Sequence, residues 1–167
     1  SIGASLARHK STVYCLAGDG SIMMNLQELQ TIVTNKLPIK IIVLNNCGYA
    51  SIRQTQKNYF PDNIFGTGSE DDGLEFPDFE KVGKSFGISS VRVRSMKEFF
   101  GSKVQQLLKG SAPALIDVAI DPDQQFSPKL LSRKLPDGTM QTPTLEDMAP
   151  FLTREEFQKN ILNEDSF

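Results

Sequence analysis

Two short apolar runs constrain this chain more than any other feature. "STVYCLA", 11–17, stops against Gly18-Asp19-Gly20-Ser21, and "IKIIVLN", 39–45, stops against Asn46. Both are rich in β-branched residues, and Gly, Asp, Ser and Asn are poor strand formers, so each run reads as a buried strand that ends there. Between them "NLQELQTIVTNKL", 25–37, sets Leu26, Leu29, Ile32 and Val33 at helical spacing, opened by Asn25 and Glu28 as a capping pair and closed by Pro38. Strand, helix and strand in so short a span form a βαβ unit, which commits the two strands to a parallel pair.

The same alternation continues. A short helical stretch, 1–10, precedes the first strand, and "NCGYASIRQTQKNYF" holds one helix. "PDNIFGTGSEDDGLEF", 61–76, is rich in Gly, Asp and Ser and reads as a mobile surface loop. "PDFEKVGKSFG" is a helix between Pro77 and Gly87, "SSVRVRS" a strand, "MKEFFGSKVQQLLKG" one amphipathic helix over 96–110, and "PALIDVAI" a last strand. The expected fold class is α/β: a doubly wound, mostly parallel sheet with helices on both faces and an irregular C-terminal tail. The α/β domain is expected over 1–126, and the tail, 127–167, ends in a short helix opened by Thr153 and Glu156. The chain opens Ser1-Ile2-Gly3-Ala4, already helical and without an initiator methionine, which reads as a piece of a longer protein.

Composition removes several classes of function. A net charge of −2 supplies no basic field for nucleic acid or an anionic membrane surface. No apolar run nears the roughly 20 residues that span a bilayer, and no signal peptide is visible; cysteine usage points to a reduced, cytoplasmic setting. Cys15 and Cys47 fit neither a disulfide framework nor a zinc pattern, and both read as small core residues of a reduced protein.

In a doubly wound sheet, ligands sit beyond the carboxyl ends of the strands. Asp19 lies just past the first strand, and Asn45 and Asn46 close the second. If these strands are neighbours, about 4.8 Å apart, Asp19 and Asn46 meet at one edge. A carboxylate and an amide carbonyl suit magnesium, which takes few protein carboxylates and fills its other positions with phosphate and water. Gly48 adds a possible carbonyl ligand, Gly20 permits close backbone approach, and Ser21 stands where a helix start would meet phosphate. Asp-Gly and Asn-Asn are also ordinary turn dipeptides, so the spacing alone leaves a plain turn open.

"GDGSIMMNLQELQTIVTNKLPIKIIVLNNCGY" resembles the thiamine diphosphate signature, Gly-Asp-Gly followed one helix and one strand later by Asn-Asn. The chain most resembles the C-terminal cofactor domain of the acetolactate synthase large-subunit family, through "PALIDVAIDPDQ". The resemblance implies that Asp19 and Asn46 bind Mg2+ through their side chains and Gly48 through its carbonyl. It implies that Gly18, Gly20 and Ser21 line the diphosphate of thiamine diphosphate, with Met24, Tyr49, Ala50 and Ile52 near cofactor or substrate; Met24 and Ile52 read equally well as core. Thr55 stands where that family carries a substrate-selecting tryptophan, and the chain has no Trp. The larger, more polar cavity this implies points to an acceptor other than pyruvate or 2-oxobutyrate.

The same resemblance implies an enzyme that decarboxylates and joins 2-oxo acids, a transferase or lyase. Its catalytic glutamate and the residue that bends the cofactor lie outside this chain, so none of the catalytic residues is here and the chain alone is expected to be inactive. The expected partner is the N-terminal pyrimidine-binding domain of the same protein, from another subunit of a homodimer or homotetramer. Tyr14, Leu26, Tyr49, Phe151, Leu152 and Phe157 are candidate interface residues, and the tail is expected to fold over the active-site mouth. Glu28, Glu75 and Glu80 read as surface residues and His9 as a solvated helix end. The rival reading is a non-catalytic module holding a nucleotide or sugar diphosphate through magnesium. It is disfavoured by the lack of both a Gly-x-x-x-x-Gly-Lys-Ser/Thr loop and a Gly-x-Gly-x-x-Gly after a strand.

Overall fold

The computed structural model describes residues 1–68 and 73–161, in two compact units, 1–124 and 125–167. The first is built on a four-stranded sheet, with β1 (Val13–Gly18), β2 (Ile39–Asn45), β3 (Ser89–Val93) and β4 (Ala114–Ala119) in the order β1-β2-β4-β3. Every neighbouring pair is parallel. The helices are α1 (Ile2–Ala7), α2 (Asp19–Met23), α3 (Glu28–Thr34), α4 (Ala50–Tyr59), α5 (Phe79–Ser85), α6 (Met96–Phe99) and α7 (Ser102–Lys109).

The period-2 pattern of β2 explains the layers. Ile39, Ile41 and Val43 pack with Ile22 of α2, Leu29 and Ile32 of α3, and Phe79 of α5. On the opposite face Ala114, Ile116, Val91 and Val93 pack with Val104 of α7 and Phe99 of α6. Full burial of one such side chain contributes roughly 1.5–3 kcal/mol, so these two clusters dominate the favourable side of folding. The doubly wound expectation therefore holds. Lys40 is buried in the middle of this apolar sheet; its Nζ donates to the Ala112 carbonyl, and burial lowers its pKa. At the β1 edge the sheet is less covered: Tyr14 and Leu16 are exposed, although the Tyr14 hydroxyl donates to the Leu108 carbonyl of α7 at 3.3 Å.

Several local expectations are corrected. The helix expected over 25–37 is shorter: α3 starts at Glu28 with no side-chain cap, so the Asn25–Glu28 capping pair does not form, and a separate short helix, α2, precedes it from Asp19. The helix expected over 96–110 breaks at Gly101, where the backbone is extended, and Ser95 caps α6 by accepting from Glu98 N. Cys15 packs at the edge of the core, but Cys47 is exposed, because it sits past the strand end at φ 58°. Of the candidate interface residues, Leu26, Phe151 and Phe157 are half-buried: Leu26 packs against the core, while the two rings lie beneath the Arg133 and Arg154 guanidiniums.

In the second unit β5 (Arg133–Lys134) and β6 (Met140–Gln141) make a short antiparallel pair, and α8 (Arg154–Asn160) is capped by Thr153, which accepts from Glu156 N. No helix among the described residues is long and apolar enough to cross a membrane.

Candidate functional site

The site grows from two strand ends set side by side. Gly18 pairs in register with Leu44, so the turn from β1 into α2 faces the turn that leaves β2. Gly18 is still extended, at φ −70° and ψ 158°, and Asp19 begins the helix. This leaves the Asp19 side chain pointing across to the neighbouring turn, and it is 2% exposed.

Its carboxylate gathers that turn. Asp19 Oδ1 accepts from Gly20 N at 2.7 Å, and Oδ2 accepts from Asn46 N at 3.1 Å and Gly48 N at 3.0 Å. A carboxylate offers about four lone-pair positions, so three N–H donors leave one for a further partner. Asn46 Oδ1 is buried and has no hydrogen-bond partner among the described residues. A buried acceptor left unpaired costs free energy until something electropositive meets it. Asp19, Asn46 and Gly48 thus lie together, with one carboxylate and one orphaned amide oxygen, a donor set of the hard-oxygen kind that magnesium takes. These residues fit a magnesium ion.

The remaining expected residues fall into two groups. Gly20 lies against the Tyr49 ring: a Cβ there would collide with it. Tyr49 in turn meets Phe76 edge to face, with ring centroids 5.6 Å apart. Ala50 is buried at the start of α4. Ser21 is exposed, as are Met24 at 72% and Ile52 at 52%, so the last two are not core residues. Thr55 is exposed on α4, where its hydroxyl donates to the Ser51 carbonyl.

Asn45, already marked at the end of the second strand, and three residues that pattern reading did not single out hold the turn. Asn45 Oδ1 accepts from Cys47 N at 3.1 Å, and Asn45 Nδ2 donates to Asp117 Oδ1 at 2.9 Å. Asp117 is fully buried in β4; burial raises its pKa, while the Asn45 bond and the Arg92 charge pull it down. Thr67, inside the stretch expected to be a surface loop, is 1% exposed, and its carbonyl accepts from Tyr49 N at 3.0 Å. Residues 69–72 of that loop lie outside the described residues. Arg53 of α4, 4% exposed, completes the set. An aspartate inside "PALIDVAI" was a visible signal; Arg53 and Thr67 offered none. A cavity of about 680 Å³ opens beside the turn, lined by Asn45, Cys47, Phe76, Asp78 and Arg92 among others.

Comparison with known proteins agrees with this architecture. Residues 1–118 match the family described as thiamine pyrophosphate enzyme, C-terminal TPP binding domain. The chain belongs to that family. It is 32% identical over 148 residues to the acetolactate synthase isozyme 2 large subunit of Escherichia coli (strain K12), covering 89% of this chain and 25% of that protein. It is 33% identical over 133 residues to the acetolactate synthase large subunit of Cyanidium caldarium, covering 80% of this chain and 22% of that protein. Among solved structures it resembles the thiamine diphosphate-dependent 4-hydroxybenzoylformate decarboxylase of Rhodococcus jostii RHA1. That match has a TM-score of 0.59 and 30% identity, over 72% of this chain and 22% of that one. The chain thus spans about a quarter of the length of these relatives.

Proposed function

We propose that this chain is the diphosphate-holding part of a thiamine diphosphate-dependent enzyme that decarboxylates and joins 2-oxo acids. In this reading the Asp19 and Asn46 side chains and the Gly48 carbonyl bind Mg2+, which carries the cofactor's diphosphate. Gly18, Gly20 and Ser21 flank the diphosphate, while Met24, Tyr49, Ala50 and Ile52 stand near the cofactor or substrate. The observation that carries the reading is the pairing of a three-fold bonded Asp19 carboxylate with the buried, unpartnered Asn46 Oδ1.

The roles of this chain's residues follow from that geometry. Asp19 supplies the negative charge that offsets the metal, and the N–H groups it accepts fix its orientation before the metal arrives. Supporting bonds of this kind typically govern metal affinity nearly as strongly as the ligands. Gly20 leaves room for Tyr49, whose ring covers the helix start next to the metal site. Bound thiamine diphosphate would supply the electron sink for 2-oxo acid chemistry, and the protein's share is orientation and electrostatics.

The reading extends to partners. The whole enzyme would need a pyrimidine-binding domain from another subunit, in a homodimer or homotetramer, with the α/β domain ending near residue 126 and the tail following over 127–167. The similarity to the acetolactate synthases and to the decarboxylase supports this class of chemistry. Thr55 in place of tryptophan favours an acceptor other than pyruvate or 2-oxobutyrate.

Calorimetric titration of thiamine diphosphate into the intact protein, with magnesium and with chelator, tests the proposal. Magnesium-dependent binding that Asp19→Ala abolishes is expected. Binding unchanged by chelator or by Asp19→Ala, or stabilisation by nucleotides alone, would sink it.

A further inference from the structure

Arg53 is a buried cation with no carboxylate partner among the described residues. Asp123 feels its charge through space, but forms its own ion pair with Lys57 at 2.8 Å. The guanidinium donates instead to three main-chain carbonyls: Nη1 to Thr67 at 2.9 Å, and Nη2 to Pro122 at 2.9 Å and, more weakly, to Asn46 at 3.4 Å. Burying a charge against neutral acceptors is costly, so an arginine kept in this way calls for a reason.

The three carbonyls belong to three separate segments that meet at the site. Asn46 opens the turn beyond β2, Thr67 belongs to the strap that follows α4, and Pro122 lies just past β4. Every N–H of the turn is already committed: Asn46 and Gly48 to Asp19, Cys47 to Asn45, and Tyr49 to Thr67. Arg53 supplies the complementary half. It holds the Asn46 carbonyl, hence the same peptide plane whose N–H meets Asn45 Oδ1. It also holds the Thr67 carbonyl, which receives the Tyr49 N–H. Gln56, one turn further along α4, fixes the strap again: its Nε2 donates to the Phe65 carbonyl at 3.0 Å, and its Oε1 accepts from Phe65 N at 3.2 Å. The strap then packs so closely that a Cβ on Gly48 would collide with the Thr67 carbonyl.

We propose that Arg53 is the positioning residue of the metal-binding turn, holding the Asn46–Tyr49 backbone so that the Asn46 and Gly48 oxygens face the cation. The inference rests on the magnesium assignment given under Proposed function. It needs arginine in particular. A planar fork with five donors reaches three segments at once, whereas a lysine ammonium is a point charge on a flexible stem.

The test uses the intact protein, with Arg53→Ala and Arg53→Lys beside the wild type, and two readouts. The first is the magnesium concentration that half-saturates thiamine diphosphate binding by calorimetry. The second is hydrogen exchange of the 46–49 amides in cofactor-free protein. Arg53→Ala is expected to raise half-saturating magnesium by roughly 10–100-fold, with partial return on adding millimolar guanidinium. Exchange should quicken at 46–49 while the amides of β2 and β4 stay protected. Arg53→Lys should lie between, and it carries the test if the alanine variant does not fold. Unchanged magnesium dependence in a folded variant, or 46–49 exchange equal to wild type, overturns the inference. A wild-type protein that binds thiamine diphosphate without magnesium defeats the magnesium assignment instead. The exchange readout then still decides whether Arg53 holds the turn.

Discussion

Asn45→Ala removes the side chain that ties the turn after β2 to the buried Asp117. Asn45 Nδ2 donates to Asp117 Oδ1 at 2.9 Å, and Asn45 Oδ1 accepts from Cys47 N at 3.1 Å. Arg92 Nε stands 3.6 Å from Asp117 Oδ2, close enough for charge attraction but without a hydrogen bond. The alanine therefore strips a buried carboxylate of its donor, costing about 1.5–3 kcal/mol, and deprives Cys47 N–H of its acceptor, costing about 0.5–1.5 kcal/mol. The total, roughly 2–4.5 kcal/mol, is a large fraction of the stability of an ordinary domain.

The pH dependence identifies the cause. Burial already holds the Asp117 pKa above 3.8, against the pull of the Asn45 bond and Arg92. Losing Asn45 removes a lowering influence, so the pKa climbs further. A folded pKa above the unfolded one means the native state keeps its proton longer. The stability this confers is present at low pH and lost as pH rises through the folded pKa. The stability gap between wild type and Asn45→Ala should therefore shrink as pH is lowered from about 7.5 to about 5. Urea unfolding at both values measures it. Adding Asp117→Asn removes the unpaired charge and should restore part of the loss. A gap independent of pH, together with a double variant whose losses simply add, would refute this account.

Gly48→Ala should destabilise the protein by about 1–3 kcal/mol, the usual range for overpacking, because the added methyl meets the Thr67 carbonyl, Gly68 and Arg53. Thermal unfolding reads the loss, and magnesium-dependent cofactor binding should fall with it. In the second unit Arg154 grips Asp147 with two bonds, at 2.7 and 2.8 Å, and Arg133 adds a third at 3.3 Å. The Arg154 hydrogen bond holds the Asp147 carboxyl below its usual value, so this contribution is present at neutral pH and lost as pH falls through the depressed pKa. Hydrogen-exchange protection near α8, taken relative to the intrinsic rate at each pH, should fall in acid, and Asp147→Asn should show the same loosening already at neutral pH.

What the sequence determined by itself is the alternation of strands and helices and the register of one key pair. Hydrophobic period is a local property, and β2 begins and ends where its apolar run does, at Ile39 and Asn45. The run from Asp19 to Asn46 was legible for the same reason: a strand, a helical segment and a strand leave little choice but a parallel pair, which brings the two ends together.

Tertiary structure decided the rest. The early start of α2 accompanies the burial of the Asp19 side chain against the neighbouring turn, which local propensity does not encode. Asn45 and Asp117 are 72 residues apart, and Arg53 and Pro122 are 69 apart. Neither pair leaves a local pattern, since a buried polar group is satisfied by whatever the fold brings beside it. Spacing could mark Asp19 and Asn46 as candidates, but the bonds that orient them exist only once four segments of chain have met.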